Sequence, residues 1–99
     1  FGEFNSVLIT SMQVQGNDLA VEYLFYNSFA RANLENANFK NADLRQVDFY
    51  STTLTNADLS GADLRMAYLD HANLSGANLS EVIIDETTIL NCIGHPICG

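Results

Sequence analysis

From Ala32 to Ser80 the chain repeats one five-residue unit: Ala-Asn-Leu-Glu-Asn, Ala-Asn-Phe-Lys-Asn and Ala-Asp-Leu-Arg-Gln, two looser copies from Val47 and Thr52, then Ala-Asp-Leu-Ser-Gly and four more to Ser80. A period of five matches neither the 3.6 of an amphipathic helix nor the 2.0 of a strand, so a solenoid is the first architecture to consider. Stepping by five from Leu34 in both directions gives eighteen positions, from Phe4 through Leu19, Phe29, Leu44, Leu59 and Leu74 to Ile84 and Ile89, and all are large and apolar. Val, Ile, Leu, Met and Phe make up 31 of the 99 residues, which decides the matter. Filling one frame by chance has a probability of about one in a billion.

Two positions before each central residue the chain carries a small one, Ala at 32, 37, 42, 57, 62, 67, 72 and 77, with Val47, Thr52, Val82 and Thr87 as variants. A small and a large apolar residue separated by a polar one fit a short extended segment whose flanking side chains point inward and whose middle one points outward. The last two residues of each unit are mostly polar or Gly and have turn chemistry. Each pentapeptide then forms one side of a polygon.

These residues resemble the pentapeptide-repeat proteins, whose A(D/N)LXX motif stands almost verbatim at Ala32–Asn36, Ala42–Gln46 and Ala57–Ser80. The resemblance implies an all-β fold, a right-handed quadrilateral parallel β-helix with four pentapeptides per coil. Eighteen units would make about four and a half coils, about 22 Å long at the ~4.8 Å strand spacing. The regularity of the repeat divides the chain into a degenerate N-terminal coil or cap (1–28), a regular β-helix (29–91) and a C-terminal cap (92–99) within a single domain.

Before Ser28 the frame persists but the small-residue rule fails, with Met12, Asn17, Glu22 and Asn27 at those positions. An unpaired inward carboxylate is costly. The expectation is a distorted first coil, with a short helix capped by Asp18 as the alternative. Val21, Tyr23, Phe25 and Tyr26 would face outward there, either as a contact patch or as a plug folded over the end.

The net charge of −8 comes from four basic and twelve acidic residues. Such a surface repels phosphate, so direct nucleic-acid binding is not expected. No run of 18 apolar residues is present, so no membrane span is expected. The chain starts at Phe1 without Met or a leader, which reads as a processed product or an excised piece, and the lack of an apolar span reads as a soluble protein.

Chemistry is sparse. His71 and His95 are distant in sequence, no nucleophile has an evident base, and neither a phosphate loop nor a paired Cys/His metal pattern occurs, so no catalytic, cofactor or metal residues are expected. The sequons at Asn73 and Asn78 follow from the repeat itself and carry no weight. Asp43 and Asp63 fall in one outward column and Asp58 in another, with Arg45 and Arg65 beside the first pair. They form either a self-neutralising face or an acidic ladder mimicking DNA, as the resemblance to gyrase-protecting family members would imply. After Ile89 the repeat stops, and Cys92 and Cys98 bracket a turn-rich loop with three open readings: a disulfide, two free thiols, or a metal site with His95 that lacks a fourth ligand. A disulfide would mean an oxidising compartment, such as a periplasm, a thylakoid lumen or the cell exterior; the repeat style is common in cyanobacteria within the family.

Two function classes follow. The leading one is a non-catalytic scaffold offering flat faces and coil ends to a protein partner, as a monomer or a weak end-to-end dimer. The other is an acidic DNA mimic acting on gyrase or a topoisomerase.

Overall fold

The computed structural model describes residues 28–98. Single parallel β-bridges join residues twenty apart, beginning Ser28 to Asp48, Asn33 to Thr53, Asn38 to Asp58 and Asp43 to Asp63. Four five-residue sides therefore close one coil. The first side carries Ser28, Asp48, Tyr68 and Ile89 in successive coils, and the second carries Asn33, Thr53, Asn73 and Ile93. The third carries Asn38, Asp58 and Asn78, and the fourth Asp43, Asp63 and Ile83. These fourteen sides make three and a half coils; the degenerate coil or cap expected over residues 1–28 lies, except for Ser28, outside the described part.

Corners follow from the fifth residue of each unit. Leu34 C=O accepts from Ala37 N–H at 3.0 Å, and the same bond recurs at each regular corner. The residue before that donor has positive φ, as at Asn36 (63°), Gln46 (62°) and Gly61 (69°), which is the requirement of a type II turn. Asn, Gly and other flexible or polar residues at this position bear the left-handed conformation most cheaply.

The interior is layered. Leu34, Leu44, Leu54, Leu59, Leu64, Leu69 and Leu74 are fully enclosed, with the alanines of the small positions between them. Phe29 and Phe49 stack at 5.7 Å, and Phe39 meets them edge-on at 6.2 and 6.0 Å. Where a threonine replaces a small alanine its hydroxyl is satisfied: Thr52 Oγ1 donates to Phe29 C=O (2.8 Å) and Thr88 Oγ1 to Leu64 C=O (2.9 Å). A buried hydroxyl without such an acceptor would be destabilising.

The frame of five holds to Ile84 and then slips, which corrects the expectation that it runs to Ile89. Ile83 pairs with Asp63, but Tyr68 pairs with Ile89, twenty-one residues on. The extra residue sits in a turn built by Asp85, whose carbonyl accepts from Thr88 N–H (3.1 Å) and whose carboxylate takes both the N–H and the hydroxyl of Thr87. Thr88 rather than Thr87 thus fills the small site, Leu90 packs on the core, and Ile89 points outward with 43% of its surface exposed. The frame is recovered by shortening the next corner, and Ile93 again pairs twenty residues back, with Asn73.

Candidate interaction surface

Where the outward residue of a side is Asn or Asp it has a local task that explains the preference. Its side-chain oxygen accepts the backbone N–H two residues on: Glu35 to Asn33 (3.0 Å), Lys40 to Asn38 (3.0 Å), Tyr50 to Asp48 (2.9 Å) and Ser75 to Asn73 (3.0 Å). This Asx bond stabilises the corner that follows. The acidic residues are therefore turn residues first.

Asp43, Asp58 and Asp63 make the same bond to Arg45, Ser60 and Arg65. Arg45 clamps Asp43 through Nε and Nη2 at 2.8 and 2.7 Å, and Arg65 clamps Asp63 at 2.9 and 2.6 Å. Arg45 Nε also stands 4.0 Å from Asp63, so the fourth side is a ladder of alternating charge. The arginine hydrogen bonds hold both carboxyls below the usual range, and the Ser60 hydroxyl does the same for Asp58. With Asp43 and Asp63 paired to arginines and Asp58 standing alone on another side, these groups are not a continuous open strip of negative charge.

At the corner between the first and second sides, Tyr50 and Tyr68 stack at 6.1 Å, Arg31 lies over Tyr50 at 5.1 Å and His71 meets Tyr50 edge-on at 5.6 Å. Asp70 ties this corner together. Burial opposes its ionisation, but hydrogen bonds from Asn91 (2.7 Å) and the Tyr68 hydroxyl (3.1 Å), with His71 at 3.1 Å, bring its carboxyl below the usual range. The rings cover one another's faces and reinforce the stack.

The last coil breaks the outward rule. Ile83, Ile89 and Ile93 occupy the outward position on three of its sides, 47%, 43% and 57% exposed, and Ile84 is exposed on the end beside them. Isoleucine has no acceptor for the Asx bond, so these sides forgo a turn contact to place an apolar group in water. The same coil ends in an open edge. One coil earlier, Leu59, Gly61, Leu64 and Leu69 donate to the carbonyls of Asn78, Ser80, Ile83 and Ile89. Among the described residues nothing pairs with the equivalent N–H groups of Leu79, Glu81, Ile84 and Leu90, or with the carbonyls of Ala77, Val82 and Thr88.

The family model for pentapeptide repeats matches residues 28–65 and 66–92, in eight copies. The chain belongs to the pentapeptide-repeat family. Its fold is accordingly the right-handed quadrilateral β-helix of that family. Among solved structures of pentapeptide-repeat proteins, Rfr23 from the cyanobacterium Cyanothece 51142 is 20% identical with a TM-score of 0.46, covering 88% of this chain and 90% of that one. The protein alr5209 from Nostoc PCC 7120 is 26% identical with a TM-score of 0.49, covering 96% and 69%. QnrB1, a plasmid-mediated fluoroquinolone resistance protein, is 13% identical with a TM-score of 0.46; it matches over 93% of this chain, which spans 55% of that one. No curated protein sequence matches.

In this pentapeptide-repeat chain the cap begins on the second side, where Ile93 pairs with Asn73. Cys92 takes the small site above Ala72, the chain doubles back, and Ile97 and Cys98 pack against the core. Gly94 has φ of 88° and passes so close to Ser75 that a Cβ would lie 2.7 Å from its backbone nitrogen, so no other residue fits. Cys92 and Cys98 come together with Cα atoms 5.0 Å apart and sulfurs at bonding distance. Among the described residues no helix is long and apolar enough to cross a membrane. Tyr23, Phe25 and Tyr26 lie outside the described residues. The isoleucine rim is what sequence reasoning missed, and its signal was present: Val82-Ile83-Ile84 is a run of three apolar residues where the repeat has small, polar, large.

Proposed function

We propose that this pentapeptide-repeat protein is a non-catalytic scaffold that holds a protein partner at the open end of its last coil, while its regular sides act as a rigid, polar spacer. The observation that carries this reading is the replacement of the polar outward residue by Ile83, Ile89 and Ile93 beside an unpaired sheet edge. Exposed apolar groups grouped at one end mark an interaction surface, and unpaired edges are templates for further pairing. The N-terminal set Tyr23, Phe25 and Tyr26 is a second candidate contact of the same kind.

An acidic DNA mimic acting on gyrase is the weaker reading, because Asp43 and Asp63 are paired with arginines and Asp58 is engaged by Ser60. Affinity capture from the source organism with two variants separates the readings. The triple variant Ile83→Asn, Ile89→Asn, Ile93→Asn is expected to lose the partners that the parent retains, and Asp43→Asn, Asp58→Asn, Asp63→Asn to keep them. The opposite result, together with inhibition of gyrase supercoiling by the parent protein, would favour the mimic.

A further inference from the structure

The edge Glu81–Ile84, on the fourth side of the last coil, is the most completely specified part of the open end. Glu81 N–H, Val82 C=O and Ile84 N–H have no partner among the described residues, and together they offer donor, acceptor and donor along one edge, Glu81 being the left-handed corner residue (φ 58°) where that edge starts. Ile83 stands outward beside them. Their equivalents one coil earlier are saturated by exactly such a strand, since Gly61 and Leu64 donate to the Ser80 and Ile83 carbonyls and Ala62 accepts from Ile83 N–H.

Charge selects among the strands that could add. After Arg65 the chain contains no Lys or Arg, but has Asp70, Glu81, Asp85 and Glu86. Asp70 and Asp85 are engaged by neighbouring hydrogen bonds. Glu81 and Glu86 make no ion pair among the described residues and bracket the edge at its two corners. We infer that this edge takes an extended segment of a partner protein as an added β-strand, one that alternates apolar residues with lysine or arginine. The backbone supplies the pairing; with its side chains alternating, the strand lays its apolar residues over Val82 and Ile84 at the end of the core and its basic ones on the outward face beside Ile83, between the carboxylates of Glu81 and Glu86. A second copy is disfavoured, because a two-fold contact through this edge would set Glu81 and Glu86 against themselves. The inference rests on the open end being the contact surface and narrows it to one side and one chemistry.

The test uses the full chain, labelled for amide NMR, and four synthetic probes: Lys-Val-Lys-Val-Lys-Val, its Glu-Val counterpart, the basic peptide N-methylated at alternate residues, and hexalysine. The basic alternating peptide is expected to shift the amides of Glu81, Ile83 and Ile84 saturably. The N-methylated and acidic peptides are expected to bind about tenfold or more weakly, from loss of the N–H that Val82 C=O would accept and the bulk of the added methyl groups, or from reversed charge. Glu81→Gln with Glu86→Gln should weaken the basic peptide while leaving the spectrum of the free fold in place. Equal binding of hexalysine or of the N-methylated peptide overturns strand addition, and equal binding of the acidic peptide at these amides overturns the charge selection; in both cases the open end survives as the contact surface. Shifts confined to residues around Asp43, Asp58 and Asp63 overturn both readings, as does an absence of shifts with every probe. Dimerisation through the same amides would make a second copy the occupant and overturn the basic strand.

Discussion

The slip of register before Ile89 gives the sharpest test of which residues face the core. An uninterrupted frame of five puts Ile89 inside; the structure puts Leu90 inside and leaves Ile89 43% exposed. Consider Ile89→Asn and Leu90→Asn, which introduce the same group one residue apart. Leu90 is half-buried against the core, so its loss removes about half of the 1.5–3 kcal/mol that full burial of a leucine supplies, near 1 kcal/mol. Setting an amide against that apolar edge adds about 1–2 kcal/mol. Leu90→Asn should therefore cost about 2–3 kcal/mol, a fall of about 10–20 °C in the melting temperature of a domain this size. Ile89→Asn places a polar residue where earlier coils carry Ser28 and Asp48, and should change stability by less than about 0.5 kcal/mol. Thermal unfolding followed by far-ultraviolet circular dichroism reads both. A larger loss for Ile89→Asn than for Leu90→Asn would refute the slipped register, and with it the place of Ile89 in the exposed rim.

The corner geometry predicts opposite signs for two glycine substitutions. Ser51 has φ of 53°, so Ser51→Gly should relieve the left-handed conformation and raise stability by about 0.5–1 kcal/mol after the entropic cost of glycine. Thr55, without positive φ, should lose about that much as Thr55→Gly, and equal signs would contradict the turn assignment. The depressed carboxyls of Asp43, Asp58 and Asp63 contribute stability that is complete above the ordinary carboxylate range and is lost as pH falls through their lower folded values. Melting temperature should be flat from neutrality to about pH 4 and decline below it; these groups lie at the surface and are only partly covered, so each contributes little. For the cap, intact mass of the unreduced chain should be two hydrogens below that of the reduced one, and reduction should loosen residues 92–98 while leaving the regular coils folded, because solenoid contacts are nearest-neighbour. Two thiols that alkylate without reduction would refute the bridge.

Much of this architecture was legible in the residues. The alternation of Ala and Leu around one polar position specified which side chains enter the core, and Leu34 through Leu74 lie where that pattern puts them. The slip was hidden for a physical reason: Ile89 and Leu90 are adjacent and both apolar, as Thr87 and Thr88 are adjacent and both small, so the pattern fits either register. What decides is the Asp85 turn, a local hydrogen-bond arrangement that hydrophobic periodicity does not see. The aspartates invited a reading in terms of charge because their sequence spacing shows columns but not acceptors. Only the bonds from Arg45, Ser60 and Arg65 show that the oxygen, more than the charge, is what the corner uses. For the contact surface, attention to the longest aromatic cluster passed over Ile83, whose meaning lies in what it replaces.

The account depends on the last coil having one bonded and one unbonded set of amides, and amide hydrogen exchange on the free protein measures this residue by residue. Asn78, Ile83 and Ile89 donate back to Ala57, Ala62 and Ala67, whereas their chain neighbours Leu79, Ile84 and Leu90 have no acceptor among the described residues. Protection should therefore alternate along this coil, with Asn78, Ile83 and Ile89 slow and Leu79, Ile84 and Leu90 near the rate of an unstructured chain. Slow exchange at all six would contradict an open edge, and fast exchange at all six would mean that the coil itself does not hold.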